Sequence, residues 1–241
     1  QPQAHKTKTM NAPILITGCA RSGTSLIAGI INQRGAFGGE MSGPNHNNAK
    51  GMFENAKIRN EIVKPFFREL EVDPMGQYPL PDVSKMLIPT GWDKRVEEIM
   101  VEQGYTGGPW MYKGAKMCLH WPVWDYAFPN AKWIIVRRKP TDIINSCMRT
   151  GFMTAFGNRS NQLAVGAKDE YEGWKWWIDQ HEDRFREMIN AGLNCKVVWP
   201  DRMVGGDYSQ IKDTLEWVGL EWGPEVTEFI EPKLWKARQK K

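Results

Sequence analysis

The strongest restriction on the fold comes from Ile14-Leu15-Ile16-Thr17-Gly18-Cys19-Ala20-Arg21-Ser22-Gly23-Thr24-Ser25-Leu26. Within thirteen residues a β-branched apolar run passes through a glycine-punctuated loop into an apolar pattern of helical spacing. It reads as strand, phosphate loop and helix. The helix is predicted over Gly23 to Gln33, with Leu26, Ile27, Ile30 and Ile31 on its buried face. A chain of 241 residues is long enough for one α/β domain with a sizeable core built around such a unit.

Gly18 and Gly23 are spaced as in the GxxxxGKS/T loop, where small residues let successive backbone N–H groups converge on anionic oxygens at a helix N-terminus. Thr24 stands where that motif has its lysine. A nucleotide triphosphatase uses the lysine on the β- and γ-phosphates and the next hydroxyl on Mg²⁺, so this loop suits an anion but lacks a part of ordinary ATP chemistry. Arg21 instead places a permanent planar cation inside the loop, suited to bidentate contact with phosphate or sulfate oxygens. Cys19 would open a thiolate phosphatase loop if arginine followed six positions on; that position is Ser25.

The phrase GCARSGTSL resembles the 5′-phosphosulfate-binding loop of the sulfotransferases, particularly the carbohydrate and tyrosylprotein branches with their PRSGTT-like loops. Trp110-Met111-Tyr112-Lys113 reads as a short strand delivering Lys113 at its C-terminal end, the edge where open α/β sheets place ligands. The overlapping YKGAK resembles the KDPR-like segment of the same branches, with Gly114 and Ala115 in place of Asp and Pro. The carry-over is therefore firmer for Lys113 than for Lys116. KWIIVRRKPTDIINSC resembles the 3′-phosphate-binding segment, in which a strand ends in Arg and a Ser follows eight positions later, here Arg138 and Ser146. An arginine at the strand edge supplies a fork of donors, and a serine two helical turns along adds a hydroxyl where the helix passes beside the same phosphate. DTLEWVGLEW resembles the LxxLGL-like helix end found late in these proteins, and the resemblance runs from Pro13 to about Leu234.

The resemblance implies a three-layer α/β fold, a mainly parallel central sheet flanked by helices and similar to P-loop NTPases. It implies sulfuryl transfer from 3′-phosphoadenosine 5′-phosphosulfate to a hydroxyl or amine, with no metal. Arg21, Ser22, Gly23, Thr24 and Ser25 would surround the 5′-phosphosulfate, and Arg138 with Ser146 the 3′-phosphate. Lys113 and Arg21 would meet the charge developing on the leaving oxygen. For the general base Glu40 comes first, because GGE follows the loop helix at nearly the spacing of the glutamate base in the tyrosylprotein branch; Glu54 and His46, in the same Gly- and Asn-rich loop, come next. Two other readings stay open: an atypical P-loop kinase using ATP and Mg²⁺, and a non-catalytic nucleotide- or carbohydrate-binding module.

The rest of the chain sets bounds. A formal charge of +4 without long basic runs does not point to nucleic acid and is compatible with small anionic ligands. Four scattered cysteines make no CxxC pair, so free, mostly buried thiols are expected. No apolar run approaches the roughly 20 residues of a bilayer span, and the reading is a soluble chain, cytoplasmic by preference, with a removed signal or anchor left open. Residues 1–12 are expected to be a flexible tail, and residues 13–241 a single domain. Ala56 to Leu70 has helical spacing that Pro65 should kink. Residues 71–92 are predicted to be an irregular loop or lid on the substrate side, and residues 149–168 a mobile connection. Asp169 to Ala191 is predicted to be a long helix whose tryptophans pack mainly in the core, with His181 a packed or exposed helix histidine rather than a base, and Cys195 to Trp199 a buried strand. Nothing in the sequence distinguishes a saccharide, a protein tyrosine, a lipid or a small alcohol as acceptor.

Overall fold

The structure, a computed structural model, describes residues 10–232. Residues 1–9 of the expected tail, and the basic end beyond residue 232, lie outside the described residues. Four strands, β1 (Ile14–Gly18), β2 (Met111–Lys113), β3 (Lys132–Val136) and β4 (Cys195–Val198), form one sheet in the order β2-β1-β3-β4. All three pairings are parallel. The helices that matter most to the site are α1 (Thr24–Gln33), α2 (Trp92–Glu102), α3 (Pro140–Arg149) and α4 (Glu170–Asn190).

Strand side chains alternate between faces, so each strand feeds two cores. Leu15, Tyr112, Trp133 and Ile135 pack with Phe66, Phe67, Val96 and Trp124 on one side. Ile14, Ile16, Met111, Ile134 and Val136 pack with Ile27, Ile30, Ile31 and Leu215 on the other. Burial on both faces explains why β1 and β3 read as continuous apolar runs. A third cluster beneath α3 and α4 joins Cys19, Ile143, Cys147, Trp174 and Trp177. The cysteines are free, with Cys19, Cys118 and Cys147 buried.

The strand order decides where a ligand can sit. From β1 the chain moves to β2 on one side, then crosses to β3 on the other. The connections diverge above the carboxyl ends of β1 and β3 and leave a crevice there. Gly18 closes its floor: a Cβ at this position would lie 2.5 Å from the Val136 carbonyl oxygen and 2.9 Å from Ser22 Oγ. Gly18→Ala is therefore expected to cost about 1–3 kcal/mol through overpacking. The check is a lowered urea midpoint at unchanged slope.

Several local expectations change form in three dimensions. Asn55 caps the next helix, its side chain accepting from the Ile58 N–H. The break at Pro65 is a widened turn rather than a kink. Residues Arg59–Val63 are π-helical, with the Lys64 N–H bonded to the Arg59 carbonyl, between α-helical Ala56–Ile58 and Lys64–Glu69. The i+5 ladder shifts just before the residue that has no N–H to give. Residues 149–168 hold a 3₁₀ turn, Ala155–Gly157, and a short helix, Arg159–Ala164, rather than an unstructured connection. The buried Gln77 side chain ties them to the 71–92 segment, donating to the Phe152 carbonyl and accepting from the Thr154 and Ala155 N–H groups. The strand expected at Cys195 to Trp199 ends at Val198 and is only partly buried, because β4 is an edge strand. A short helix not anticipated from the sequence, Pro200–Val204, follows it.

Candidate active site

A cavity of about 860 Å³ opens at the carboxyl ends of the strands. It is bounded by the β1–α1 loop, the end of β2, the segment after β3 and the 46–54 loop. The β1–α1 loop is held in a restrictive shape. Ser22 donates both its hydroxyl (2.6 Å) and its N–H (3.2 Å) to the Cys19 carbonyl. Arg21 lies at φ 70° and Gly23 at φ 100°. A left-handed arginine is uncommon, and here both ends of the residue are secured. Its carbonyl accepts from Arg138 Nη1 at 2.9 Å, and its own Nε donates to Ser146 Oγ at 3.0 Å. α1 has no side-chain cap, so its first N–H groups face the cavity mouth without an intrahelical acceptor.

The expected donor residues thus converge from three parts of the chain. Arg21, Gly23, Thr24, Ser25, Arg138 and Ser146 all line the cavity. Ser22 does not: it is fully buried and its donors are spent closing the loop, so it shapes the turn rather than meeting an anion. Lys113, at the end of β2, is 4% exposed and donates to Ser25 Oγ over a long 3.4 Å. Ser25 also donates to the Met52 carbonyl and accepts from Asn48 Nδ2 at 2.9 Å, which folds the 46–54 loop over the start of α1.

The three candidate bases separate. Glu40 is exposed and is not among the cavity-lining residues; its N–H donates to Gln103 Oε1 at 2.8 Å. His46 lines the cavity from an exposed position. Glu54 lines it from a buried one, 5% exposed, with its Oε2 accepting from Arg59 Nη1 at 2.8 Å. The physical reason is a chain reversal. The Ser42 N–H donates to the Glu54 carbonyl and the Met52 N–H to the Ser42 carbonyl, so residues 41 and 55 pair and Glu54 is carried inward.

Burial and neighbouring charges shape the protonation of the cations that line the cavity. Burial lowers the pKa of Arg21 and of Arg138, and Arg149 adds to both shifts. Lys116 is brought down to about 8, first by burial, with Lys64 and Arg59 adding to the shift and Glu54 opposing it. Lys113 is lowered mainly by burial, with Arg59 and Arg21 adding to the shift and Glu54 opposing it. A site that holds buried cations below their ordinary pKa gains when an anion arrives. Burial also pushes Cys19 well above the usual thiol range, which leaves no thiolate at the loop.

Two residues expected only in the core also line the cavity. Trp177 donates from Nε1 to the Gly76 carbonyl at 3.0 Å, and His181 Nδ1 lies 2.7 Å from the Trp177 carbonyl. Helical spacing in α4 marks their burial, but nothing in the spacing tells a core contact from a cavity wall.

A parallel three-layer sheet whose switch point gathers cations around a glycine-turned helix start defines a P-loop-like α/β protein. The sulfotransferase family profile matches residues 13–224, and the chain belongs to that family: it is a sulfotransferase. The kinase and pure binding-module readings give way to an enzyme of this class. Its fold is similar to that of sulfotransferase STF9 from Mycobacterium avium, with TM-score 0.54 and 15% identity over 97% of this chain and 70% of that one. A sulfotransferase from Alicyclobacillus acidocaldarius aligns with TM-score 0.54 and 14% identity over 94% and 89% of the two chains. The sulfotransferase domain of the Synechococcus PCC 7002 olefin synthase aligns with TM-score 0.53 and 16% identity over 100% and 92%. At these identities the likeness establishes the fold. No curated protein matches the sequence. Among the described residues no helix is long and apolar enough to cross a membrane.

Proposed function

We propose that the sulfuryl donor is 3′-phosphoadenosine 5′-phosphosulfate and that the acceptor presents a hydroxyl or amine beside Lys113 and Glu54. The observation that carries this reading is the hydrogen-bonded strip from Arg138 through Arg21 to Ser146. It joins the glycine turn to the end of β3, which supports binding of a nucleotide with phosphate groups at both ends. Arg21, Thr24, Ser25 and the free N–H groups of α1 receive the 5′-phosphosulfate, and Arg138 with Ser146 the 3′-phosphate.

In the transfer step an acceptor oxygen or nitrogen bonds to sulfur as the bond from sulfur to the bridging oxygen breaks. The leaving molecule is adenosine 3′,5′-bisphosphate. Negative charge grows on the bridging oxygen, where the buried ammonium of Lys113 lowers the barrier in surroundings of low dielectric. Glu54 takes the acceptor proton in place of Glu40, and its ion pair with Arg59 holds the carboxylate in position.

Thermal shift separates this donor from the alternatives. Adenosine 3′,5′-bisphosphate at about 100 times its Kd is expected to stabilise the protein by about 2.7 kcal/mol, and Arg138→Ala should remove most of that gain. Stronger stabilisation by ATP with Mg²⁺ than by the bisphosphate would reject the donor assignment.

A further inference from the structure

At Ser25 the β1–α1 loop and the loop that carries Glu54 are joined through one hydroxyl. A hydroxyl has one proton to donate and two lone pairs to accept with, and all three are in use. The proton goes to the Met52 carbonyl at 3.2 Å, and the lone pairs receive Asn48 Nδ2 at 2.9 Å and Lys113 Nζ at 3.4 Å. Arg21 is engaged by the same loop. While its Nε donates to Ser146 Oγ, its Nη1 and Nη2 share the Asn47 carbonyl at 3.4 and 3.5 Å. Residues 45–52 therefore form a strap across Arg21 and Ser25, turned by the Asn45 side chain, which accepts from the Asn47 and Asn48 N–H groups. A separate anchor lies at Lys50, which bonds to the Phe229 carbonyl and pairs with Glu231.

These contacts are unequal against an incoming phosphate. The two bonds from Arg21 to Asn47 are longer than is usual for an N–H donor, whereas a phosphate on that edge of the guanidinium forms charge-assisted bidentate bonds, about twice as strong as neutral ones. The single Ser25 proton serves the Met52 carbonyl or a phosphate oxygen, and not both. Asn48 differs, because it donates to Ser25 and asks for no proton in return. Donor and strap thus compete at the Asn47 and Met52 carbonyls but not at the Asn48 amide. The exchange reaches the base through the backbone: the Met52 N–H donates to the Ser42 carbonyl, and the Ser42 N–H donates to the Glu54 carbonyl.

We infer that donor binding displaces the Asn47 and Met52 carbonyls from Arg21 and Ser25, and that Asn48 is the positioning residue that keeps the Glu54 loop fastened to the donor once they are gone. This rests on the reading of Arg21 and Ser25 as donor ligands and of Glu54 as the base. Asn48 touches neither reacting group. It holds the segment that bears the carboxylate against the segment that bears the phosphosulfate, so that acceptor and sulfur meet in one orientation.

Amide hydrogen exchange of the Asn48, Gly51 and Met52 N–H groups tests this, with and without saturating adenosine 3′,5′-bisphosphate, whose 5′-phosphate takes the same ligands. In the unsubstituted protein the bisphosphate should change these rates less than about twofold, because the Asn48 tie persists. In Asn48→Ala the bisphosphate should speed them about tenfold or more, while the amides of β3 stay unchanged. Lys50→Met separates this from general loosening: it cuts the other anchor, so exchange should rise by the same factor with and without the bisphosphate. The inference is overturned if the bisphosphate leaves the strap of Asn48→Ala unaffected, if it speeds exchange equally in the unsubstituted or Lys50→Met protein, or if Asn48→Ala alone abolishes bisphosphate binding, which would make Asn48 a donor ligand. Failure of the unsubstituted protein to bind the bisphosphate would instead reject the donor reading, and this inference with it.

Discussion

Lys113→Ala is expected to lower sulfuryl transfer about 10²–10³-fold while leaving adenosine 3′,5′-bisphosphate binding within about threefold. The two effects separate because of where the ammonium sits. Lys113 is almost fully buried at the end of β2, where Glu54, Arg59 and Arg21 all act on its charge. Its ammonium makes a long contact to Ser25 Oγ. If the bisphosphate product binds through Arg21, Arg138, Ser146 and the start of α1 as proposed, its affinity should survive the substitution. The charge that develops on the bridging oxygen exists only in transfer, and that is what the substitution leaves unmet. Single-turnover transfer and product binding, measured on the same preparation, check it; a parallel loss of both would make Lys113 a binding residue instead. In the same assay Glu54→Gln should lose about 10²–10⁴-fold, and Glu40→Gln should retain activity, because Glu40 stands outside the cavity.

The second large effect is acid destabilisation. His120 is completely buried, with Nδ1 2.9 Å from the Lys116 carbonyl and Nε2 accepting from Trp124 Nε1. His181 is buried beside the Trp177 carbonyl. Burial brings His120 down to about 3 and His181 to about 4; the ammonium of Lys116 and the guanidinium of Arg184 push in the same direction. An unfolded chain takes up a proton at each near its ordinary value of about 6.5. The folded pKa is depressed, so the contribution is complete above about pH 6.5 and declines below it, by about 1.4 kcal/mol per pH unit for each histidine. Between pH 7 and pH 5 the two together remove about 4 kcal/mol, a large share of a typical 5–15 kcal/mol. Urea midpoints at the two pH values measure this. His181→Gln should lower stability at pH 7 yet roughly halve the acid slope, whereas a flat profile from 7 to 5 would contradict neutral burial.

The cluster of Arg21, Arg138 and Ser146 was legible because its parts are local. A glycine spacing, a strand-end arginine and a serine eight positions along a helix are encoded within short stretches, and parallel strand order then brings them together. Arg138 meets the Arg21 carbonyl and Arg21 meets Ser146, partners more than a hundred residues apart that each stretch anticipates on its own. Which carboxylate lines the cavity was not legible. Glu40 and Glu54 lie in one loop of similar composition, and only the pairing of Met41 with Asn55 turns the second carboxylate inward. The hydroxyl of Ser22 fails in the same way: a serine in the loop reads as an anion ligand, and the Cys19 carbonyl claims it.

By itself, then, the chain's order of residues determined the α/β class, the strands, the anion loop and the sulfotransferase likeness. Each of these depends on periodicity or spacing over a few residues. Tertiary structure decided which carboxylate enters the cavity and that Trp177 and His181 form part of its wall. Those outcomes depend on how distant loops reverse and which of several buried faces borders empty space. No local pattern carries that information, because burial against protein and burial against a ligand impose the same hydrophobic period.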